Sequence, residues 1–579
     1  MNTDLPYFET RPIASIQDML IQSARDFGKR RALTDLNKTP ISEVTYEQLL
    51  YHVRIFGTAL HKLGLKERSH IAVISENRVQ WCIAYLAAAC YNYVIVPVDR
   101  NLGKTEVLNI IHESDARAIV FSAGVSAHFE TAHSSLKKVR HYIHMDIESR
   151  EGDFHSMTEV MGEVSSAKIR PMPRIDSEEM SIIVFTSGSL GRAKGVMLSH
   201  KNICANLMGM VQMIRLYPED RFLSVLPIHH TYECTCGFLC PLYKGCSIYY
   251  ARSLKTILDD LQQSKATILL GVPLLFEKMY RNIRKGIREK AVTRMLVPPL
   301  IGIGKTLNKM GLENAQKKLF GSLHRKFGGH IRLFIAGGAA PDPEIAAGLR
   351  GLGFMFVQGY GLTETAPILA LNRLDAFKDE AAGLPLPGVK LKIHEPGEDG
   401  VGEVIAQGDN VMLGYYKNEQ TTKETFTEDG WFRTGDLGFI DDNGFLHISG
   451  RKKNVIIAAN GKNVYPEELE DILNRSPYIL ESMVYGEATN GYTEKIAVQI
   501  VVDGEALIAL AEAKKQEITR EWMEKVIHRE VDKVNKQVSS FKRIQNILIR
   551  ENEFEKTTTK KIKRYTVSKD PTPVSTEEH

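Results

Sequence analysis

No stretch of this chain approaches the roughly 18 consecutive apolar residues that a membrane-spanning helix needs, so none is expected. The amino terminus, MNTDLPYFETR, has neither a basic start nor an apolar run. It does not read as a signal peptide, and a cytoplasmic protein is expected. Cysteine is scarce: seven in 579 residues exclude a disulfide framework. Cys234, Cys236, Cys240 and Cys246 do cluster, but among apolar neighbours and at no ligand spacing. Buried, reduced thiols are therefore expected there rather than a metal site. Charge of one sign is also lacking. The 74 Lys and Arg against 70 Asp and Glu leave +4, too little to imply a nucleic-acid partner. A Walker A loop is missing too. The one Gly-Lys-Thr, Gly304-Lys305-Thr306, has Pro299 where the first glycine belongs and lies in a basic, helix-like region.

What remains is the composition of an ordinary globular protein, 43% hydrophobic and 25% charged, long enough for several domains. Residues 1–65 read as helices and turns. From His70 a strand–helix alternation begins, with strands near 71–74, 94–98, 118–121, 222–226, 247–250, 267–271, 331–336 and 354–358. Ser199 caps a helix to about residue 214. The 125–175 segment is polar and weakly patterned and reads as surface structure. The alternation predicts an α/β fold with a doubly wound, mostly parallel sheet. From about 383 to 450, short strands with Gly, Pro and Asn turns predict a β-rich subdomain. Past 450 a compact α+β tail is expected, with strands near 482–486 and 495–502 and a helix near 520–536.

The chemistry gathers in loops. Residues 181–185 (SIIVF) have the pattern of a buried strand and break into Thr186-Ser187-Gly188-Ser189-Leu190-Gly191-Arg192-Ala193-Lys194-Gly195. Nine of these fifteen residues are Gly, Ser, Thr, Lys or Arg, so backbone N–H groups, hydroxyls and cations can close on phosphate. Gly337-Gly338-Ala339 follows a strand and can admit a flat ring close to the backbone. Gln358-Gly359-Tyr360-Gly361-Leu362-Thr363-Glu364 ends in an acid suited to Mg²⁺. Asp436 can bind two ribose hydroxyls, and Arg451 and Lys453 lie where the composition changes. Singly each has an ordinary reading as a turn or a solvated tail. A nucleotide grip, a magnesium acid and a ribose acid in one chain are much less expected by accident.

In this order the motifs resemble the adenylate-forming (AMP-binding) superfamily, from about residue 40 to residue 565. Within it the chain is most similar to long-chain fatty-acid–CoA ligases, through Leu226-Pro227-Ile228-His229-His230-Thr231-Tyr232-Glu233, the basic insertion before Ile331 and the GRKKNVIIAANGKNVYPEELE stretch. The resemblance implies a large AMP-binding domain, 1–450, and a small mobile lid, 451–579. It implies ATP, Mg²⁺ and coenzyme A as cofactors, with a fatty acid and coenzyme A as substrates. The acid attacks the α-phosphorus to give acyl-AMP and pyrophosphate, and the thiol then displaces AMP. Carried over, Thr186, Ser187, Gly188, Ser189, Gly191 and Lys194 grip the β- and γ-phosphates. Gly337, Gly338, Ala339, Gly359 and Tyr360 border adenine, and Thr363 meets the α-phosphate. Glu364 holds Mg²⁺, Asp436 and Arg451 bind ribose, and Lys453 is the hinge. Lys561 contacts the reacting carboxylate and α-phosphate, and His230 lies beside the acyl carboxylate. Leu190, Ala193, Glu555 and Lys560 depart from the family pattern without removing a group the chemistry requires.

Alternatives stay open. The product could be loaded on an acyl-carrier protein, or the acid could be aromatic or short. Residues 277–326 hold thirteen Lys or Arg against three Glu. They read equally as an amphipathic surface for anionic lipid or as a solvated basic face. A peripheral membrane location, and even a non-catalytic membrane-binding or nucleotide-binding protein, therefore compete with the enzyme.

Overall fold

The structure, a computed structural model, describes residues 6–37, 42–132, 135–186, 193–289, 291–310, 312, 315–458, 462–488, 494–556 and 561–567. Parallel strands covered on both faces carry unbroken apolar runs, and two large sheets are built from them. One sheet runs Leu384–Pro385, Ile368–Leu371, Met355–Gly361, Leu333–Ala336, Ile268–Gly271, Arg221–Ser224, Ser247–Tyr250, Arg31–Asp35, Glu43–Thr45. Its members from Met355–Gly361 to Arg31–Asp35 are parallel. The other runs Gly414–Tyr415, Lys194–Ser199, Met180–Thr186, Val94–Pro97, His70–Ile74, Ala116–Phe121, His141–His144, Phe154–Ser156. It is parallel from Met180–Thr186 onward.

Helix Val79–Cys90 is buried along its whole length and touches strands of both sheets. That placement is why it is apolar on every face. Trp81 stacks on Tyr85 at 5.1 Å between ring centroids. Helix His200–Met213 also contacts both sheets. It starts at the expected cap: the Asn202 N–H donates to Ser199 Oγ at 3.1 Å, and the Ser199 N–H donates to Asn202 Oδ1 at 2.8 Å.

The fold is the α/β class that the alternation predicts, with two local differences. Residues 1–65 also supply strands Arg31–Asp35 and Glu43–Thr45 at a sheet edge. The segment 125–175 supplies edge strands His141–His144 and Phe154–Ser156 and the helix Met157–Gly162, whose Met157, Val160 and Met161 are buried. These pieces are too short and too polar for a periodic signal. Strands Lys390–His394, Gly402–Gln407, Phe432–Ile440 and Leu446–Arg451 form the β-rich sheet. Beyond them Ile479–Ala488 pairs antiparallel with Glu494–Val502, which pairs parallel with Asn546–Arg550. Helix Arg520–Gln537 follows the expected position.

The chain divides into two compact units. One comprises the described residues up to Leu391 with Ala406–Phe432 and Asp441–Leu446; the other comprises Lys392–Ile405, Arg433–Ile440 and the described residues from His447 onward.

All seven cysteines are buried free thiols, and burial pushes the Cys234 and Cys240 thiols up to about 12. Three of the clustered four lie on or next to an unusual element, since Tyr232–Leu239 forms a π-helix, a form often found at functional sites. Its Glu233 is buried and accepts from Ser224 Oγ at 2.5 Å, while Oε2 has no partner among the described residues. Burial lifts this carboxyl to about 8, with the Ser224 hydroxyl opposing. Between about pH 4.5 and 8 the folded protein therefore holds a proton that the unfolded chain has released, and stability falls as pH rises through this window. Glu233→Gln should remove that decline. The variant and the parent should share a urea midpoint near pH 4, with the variant gaining steadily toward pH 8.5. Parallel curves across the whole range would show that Glu233 is ionised in the fold.

Candidate active site

Loops that follow parallel strands emerge at the carboxyl edge of the sheet, where open α/β folds place their ligands. The loops after Arg221–Ser224, Leu333–Ala336 and Met355–Gly361 all leave the nine-stranded sheet on that edge. Gly337 and Gly338 open the middle one. A Cβ on Gly337 would stand 2.7 Å from the Tyr232 ring, and Gly338 has φ +86°. Ala339 is exposed beside them. Tyr232 is fixed in turn, its hydroxyl donating to the Ile335 carbonyl at 3.2 Å.

The third loop is held most tightly. Gly359 and Tyr360 close strand Met355–Gly361, both partly buried. The Leu362 N–H donates to the Pro367 carbonyl at 3.0 Å, and a Cβ on Gly361 would fall 1.9 Å from that oxygen. Thr363 and Glu364 sit on the turn so formed. The turn is tied from below by buried amides. Asn410 Nδ2 donates to Thr365 O at 2.9 Å and Ile368 O at 3.0 Å, and Asn206 Nδ2 donates to Ile368 O at 2.7 Å. The Met412 N–H donates to the Glu364 carbonyl at 2.8 Å, and Tyr415 Oη donates to Glu364 Oε1 at 2.9 Å. Burial, then the Glu364 charge, holds the Tyr415 phenol far above its ordinary range, so it remains a donor.

Lys194 Nζ lies over the other side of that phenol, 5.1 Å from the ring centroid. Thr186 faces Lys194 across the hairpin. Thr186, Lys194, Tyr415 and Glu364 therefore form one connected line. Ser187, Gly188, Ser189 and Gly191 lie outside the described residues, as do Leu190 and Lys560.

His230 is partly buried after strand Arg221–Ser224. The Tyr232 N–H donates to His230 Nδ1 at 3.2 Å, which in the neutral ring leaves the proton on Nε2. Two residues on, Tyr232 borders an apolar cavity. Met210, Ile214, Tyr232, Cys236, Cys240 and Gly359 are among its walls. The cavity thus reaches the loop expected to border adenine.

In the second unit Arg451 Nε meets Asp436 Oδ1 at 2.8 Å. The Asp436 backbone N–H is anchored by donating to Thr434 Oγ1 at 3.1 Å. Lys561 belongs to the same group. Water reaches its side chain, yet burial of the ammonium, and next the Arg451 charge, push its pKa down while Asp436 pulls it up. Lys453 is exposed on the turn Lys452–Asn454. The nominated residues thus fall into two groups, one in each unit.

Tyr415, Asn206 and Asn410 were not nominated from the sequence. Asn206 leaves a trace there: it is a lone amide in the apolar run from Ile203 to Val211. Tyr415 leaves none.

Residues 20–416 match the family described as AMP-binding enzyme, and residues 453–571 match the AMP-binding enzyme C-terminal domain. A long-chain-fatty-acid–CoA ligase of Mycobacterium bovis is 29% identical over 482 residues, covering 80% of this chain and 78% of its own. A chloroplastic long-chain-fatty-acid–[acyl-carrier-protein] ligase of Arabidopsis thaliana is 27% identical over 549 residues, covering 82% and 75%. ATP-bound MatB from Rhodopseudomonas palustris shares the fold, with a TM-score of 0.75 at 23% identity over 96% of this chain and 98% of that one. The chain belongs to the AMP-binding, adenylate-forming enzyme family and is an AMP-forming acid–thiol ligase.

Proposed function

We propose that the protein is an acyl-CoA synthetase that activates a long-chain fatty acid. The observation that supports this reading is the apolar cavity between the Tyr232–Leu239 helix and the Gly359 loop. Each methylene it removes from water is worth about 0.8 kcal/mol, so a longer chain binds better until the cavity ends. A carboxylate oxygen attacks the α-phosphorus of ATP and pyrophosphate leaves. The sulfur of coenzyme A then attacks the acyl carbonyl and AMP leaves.

The residues divide this work. His230 Nε2–H donates to the acyl carboxylate and orients it. Lys194, with the 187–192 loop, takes the β- and γ-phosphates, Thr363 takes the α-phosphate, and Asp436 with Arg451 takes the ribose. Gly337, Gly338, Ala339, Gly359 and Tyr360 border adenine. Glu364 supplies a hard oxygen ligand, which suits Mg²⁺. Among the described residues no group of three or more His, Cys, Asp or Glu could hold an ion by itself. Bound there, the ion would offset the charge of the phosphates. Lys561 meets the carboxylate and the α-phosphate where charge shifts in the first step. Lys453 is the hinge that withdraws it for the second.

Two measurements test this reading. Pyrophosphate release should require both ATP and acid and rise in kcat/KM from acetate through palmitate. It should continue to thioester with coenzyme A rather than with an acyl-carrier protein, the acceptor in the name of the Arabidopsis relative. A profile peaking at short or aromatic acids would overturn the chain-length reading. For Lys561, replacement by Ala should lower adenylation by roughly two to three orders of magnitude and spare thioester formation from synthetic acyl-AMP. An equal fall in both half-reactions would sink the two-position scheme.

A peripheral membrane contact through residues 277–326 is the second part of the proposal. Helix Ala291–Lys309 leaves Met295 at 77% and Ile303 at 50% exposure in this basic segment. Apolar side chains beside cations fit a surface that meets anionic headgroups. No described helix is long and apolar enough to cross a membrane. The protein should sediment with phosphatidylglycerol vesicles at low salt and be released by Met295→Asp with Ile303→Asp. Equal recovery on phosphatidylcholine, or none on either, would refute the contact.

A further inference from the structure

Lys561 is three residues from Arg564, and a chain of three residues reaches about 10 Å at most. Whatever fixes Arg564 therefore limits where Lys561 can stand. Arg564 is fixed on three sides. Its Nη2 donates to both oxygens of Glu470, at 2.6 and 2.5 Å, and its Nη1 donates to the Val484 carbonyl at 2.9 Å. The Val484 N–H closes the ring by donating to Glu470 Oε1 at 2.6 Å. The side chains are only 26% and 12% exposed, and charge-assisted bonds from both terminal nitrogens narrow the guanidinium's freedom. The base of the Lys561 segment is closed independently. The Lys563 N–H donates to the Glu555 carbonyl at 2.8 Å, and Lys563 Nζ meets Glu555 Oε1 at 2.5 Å.

The fork also points back toward the turn that holds Lys453. Glu470 lies on helix Pro466–Leu473, one turn after Glu467. Glu467 Oε1 accepts from Asn454 Nδ2 at 2.6 Å, and Asn454 is the residue after Lys453. A Cβ on Gly450 would come within 2.6 Å of Glu467 Oε2, so the strand end before the turn is packed against the same carboxylate. The path from Lys453 to Lys561 thus runs through Asn454, Glu467, helix Pro466–Leu473, Glu470 and Arg564, all in the second unit.

We propose that the Arg564–Glu470 fork is a positioning device that locks the Lys561 segment to the helix beside the Lys453 turn, so that lysine and turn move as one rigid part. The inference rests on the adenylation role given to Lys561 above. Neither fork residue touches substrate. Their effect is on where the ammonium stands when the carboxylate meets the α-phosphorus, a step in which a displacement of about 1 Å is expensive. Thioester formation does not use that ammonium and is indifferent to the fork. Removing Arg564 need not unfold the unit. Burial already lifts Glu470 to about 7 against the pull of Arg564 and the Val484 N–H, so without the guanidinium it takes up a proton instead of remaining a buried charge.

Arg564→Ala, Arg564→Lys, Glu470→Gln and Lys561→Ala in the full chain are to be compared in the two half-reactions. These are pyrophosphate exchange with palmitate and ATP, and thioester formation from synthetic palmitoyl-AMP and coenzyme A. Arg564→Ala should lose on the order of 100-fold in kcat for exchange, with KM for ATP and the thioester rate within about threefold of the parent. Glu470→Gln should fall in the same direction by less, and Arg564→Lys should recover part of the loss. Parent-like exchange in Arg564→Ala and Glu470→Gln, alongside a dead Lys561→Ala, would overturn the fork and leave the lysine's role standing. Equal loss in both half-reactions would reduce the fork to ordinary structural support. If Lys561→Ala itself exchanged pyrophosphate at the parent rate, the lysine reading would fail and the fork with it. Should Arg564→Ala prove insoluble, Glu470→Gln decides by the same criteria.

Discussion

The turn that carries Glu364 depends on a few buried amides beneath it. A buried carbonyl left without a donor costs about 1–3 kcal/mol, and Thr365 and Ile368 present two such carbonyls under the turn. Asn206 reaches them from helix His200–Met213, and Asn410 reaches them from the segment before strand Gly414–Tyr415. Each amide also ties the turn to an element that contacts something else: the helix touches both sheets, and the strand pairs with Lys194–Ser199. Tyr415 completes the arrangement. Its hydroxyl orients Glu364 and its ring faces the Lys194 ammonium, so acid and cation are spaced by a rigid aromatic side chain rather than by flexible chain. A site that must hold a polyanion gains from that spacing, because a carboxylate and an ammonium in direct contact would satisfy each other instead.

This also explains which parts of the molecule were legible in the sequence. Strands covered on both faces appear as apolar runs, so Val94–Pro97, Ala116–Phe121 and Ile268–Gly271 stood out from their neighbours. Edge strands have one open side and few residues. His141–His144 and Phe154–Ser156 carry imidazoles and hydroxyls and looked like surface structure. The loops were legible for a different reason. Close approach at Gly337 and Gly361 admits only glycine, and a hard oxygen ligand at a turn must be an acid, so the residue types themselves carry the chemistry. Partners held by tertiary contact left no such mark. Tyr415 is 51 residues from Glu364 and Arg564 is 94 from Glu470, and no local pattern relates them.

The π-helix shows a third kind of limit. Tyr232, Cys236 and Cys240 recur every four residues, which fits an α-helix as well as the wider form found. The sequence placed this segment between two strands without giving it a form. The wider turn has a use in packing. Cavity-facing side chains line up at Tyr232, Cys236 and Cys240, while Glu233 and Gly237 stack on another side, where a Cβ at 237 would come within 2.6 Å of the Glu233 carboxyl.

Two buried carboxyls, Glu233 and Glu470, then illustrate how surroundings decide the use of one functional group. Both are lifted by burial, to about 8 and about 7. Glu233 has the Ser224 hydroxyl for company, with Tyr232, Cys234, Cys236 and Tyr250 as titratable neighbours. It is mostly neutral at physiological pH, which avoids the cost of an unpaired buried charge. Glu470 has a guanidinium fork and a backbone N–H, which together favour the ion, and an ion pair supplies direction that a neutral group cannot. Glu233 thus stays largely uncharged on the side of the π-helix away from the cavity, while Arg564 draws Glu470 toward its ion. That division follows from partners alone, because the two side chains are chemically identical.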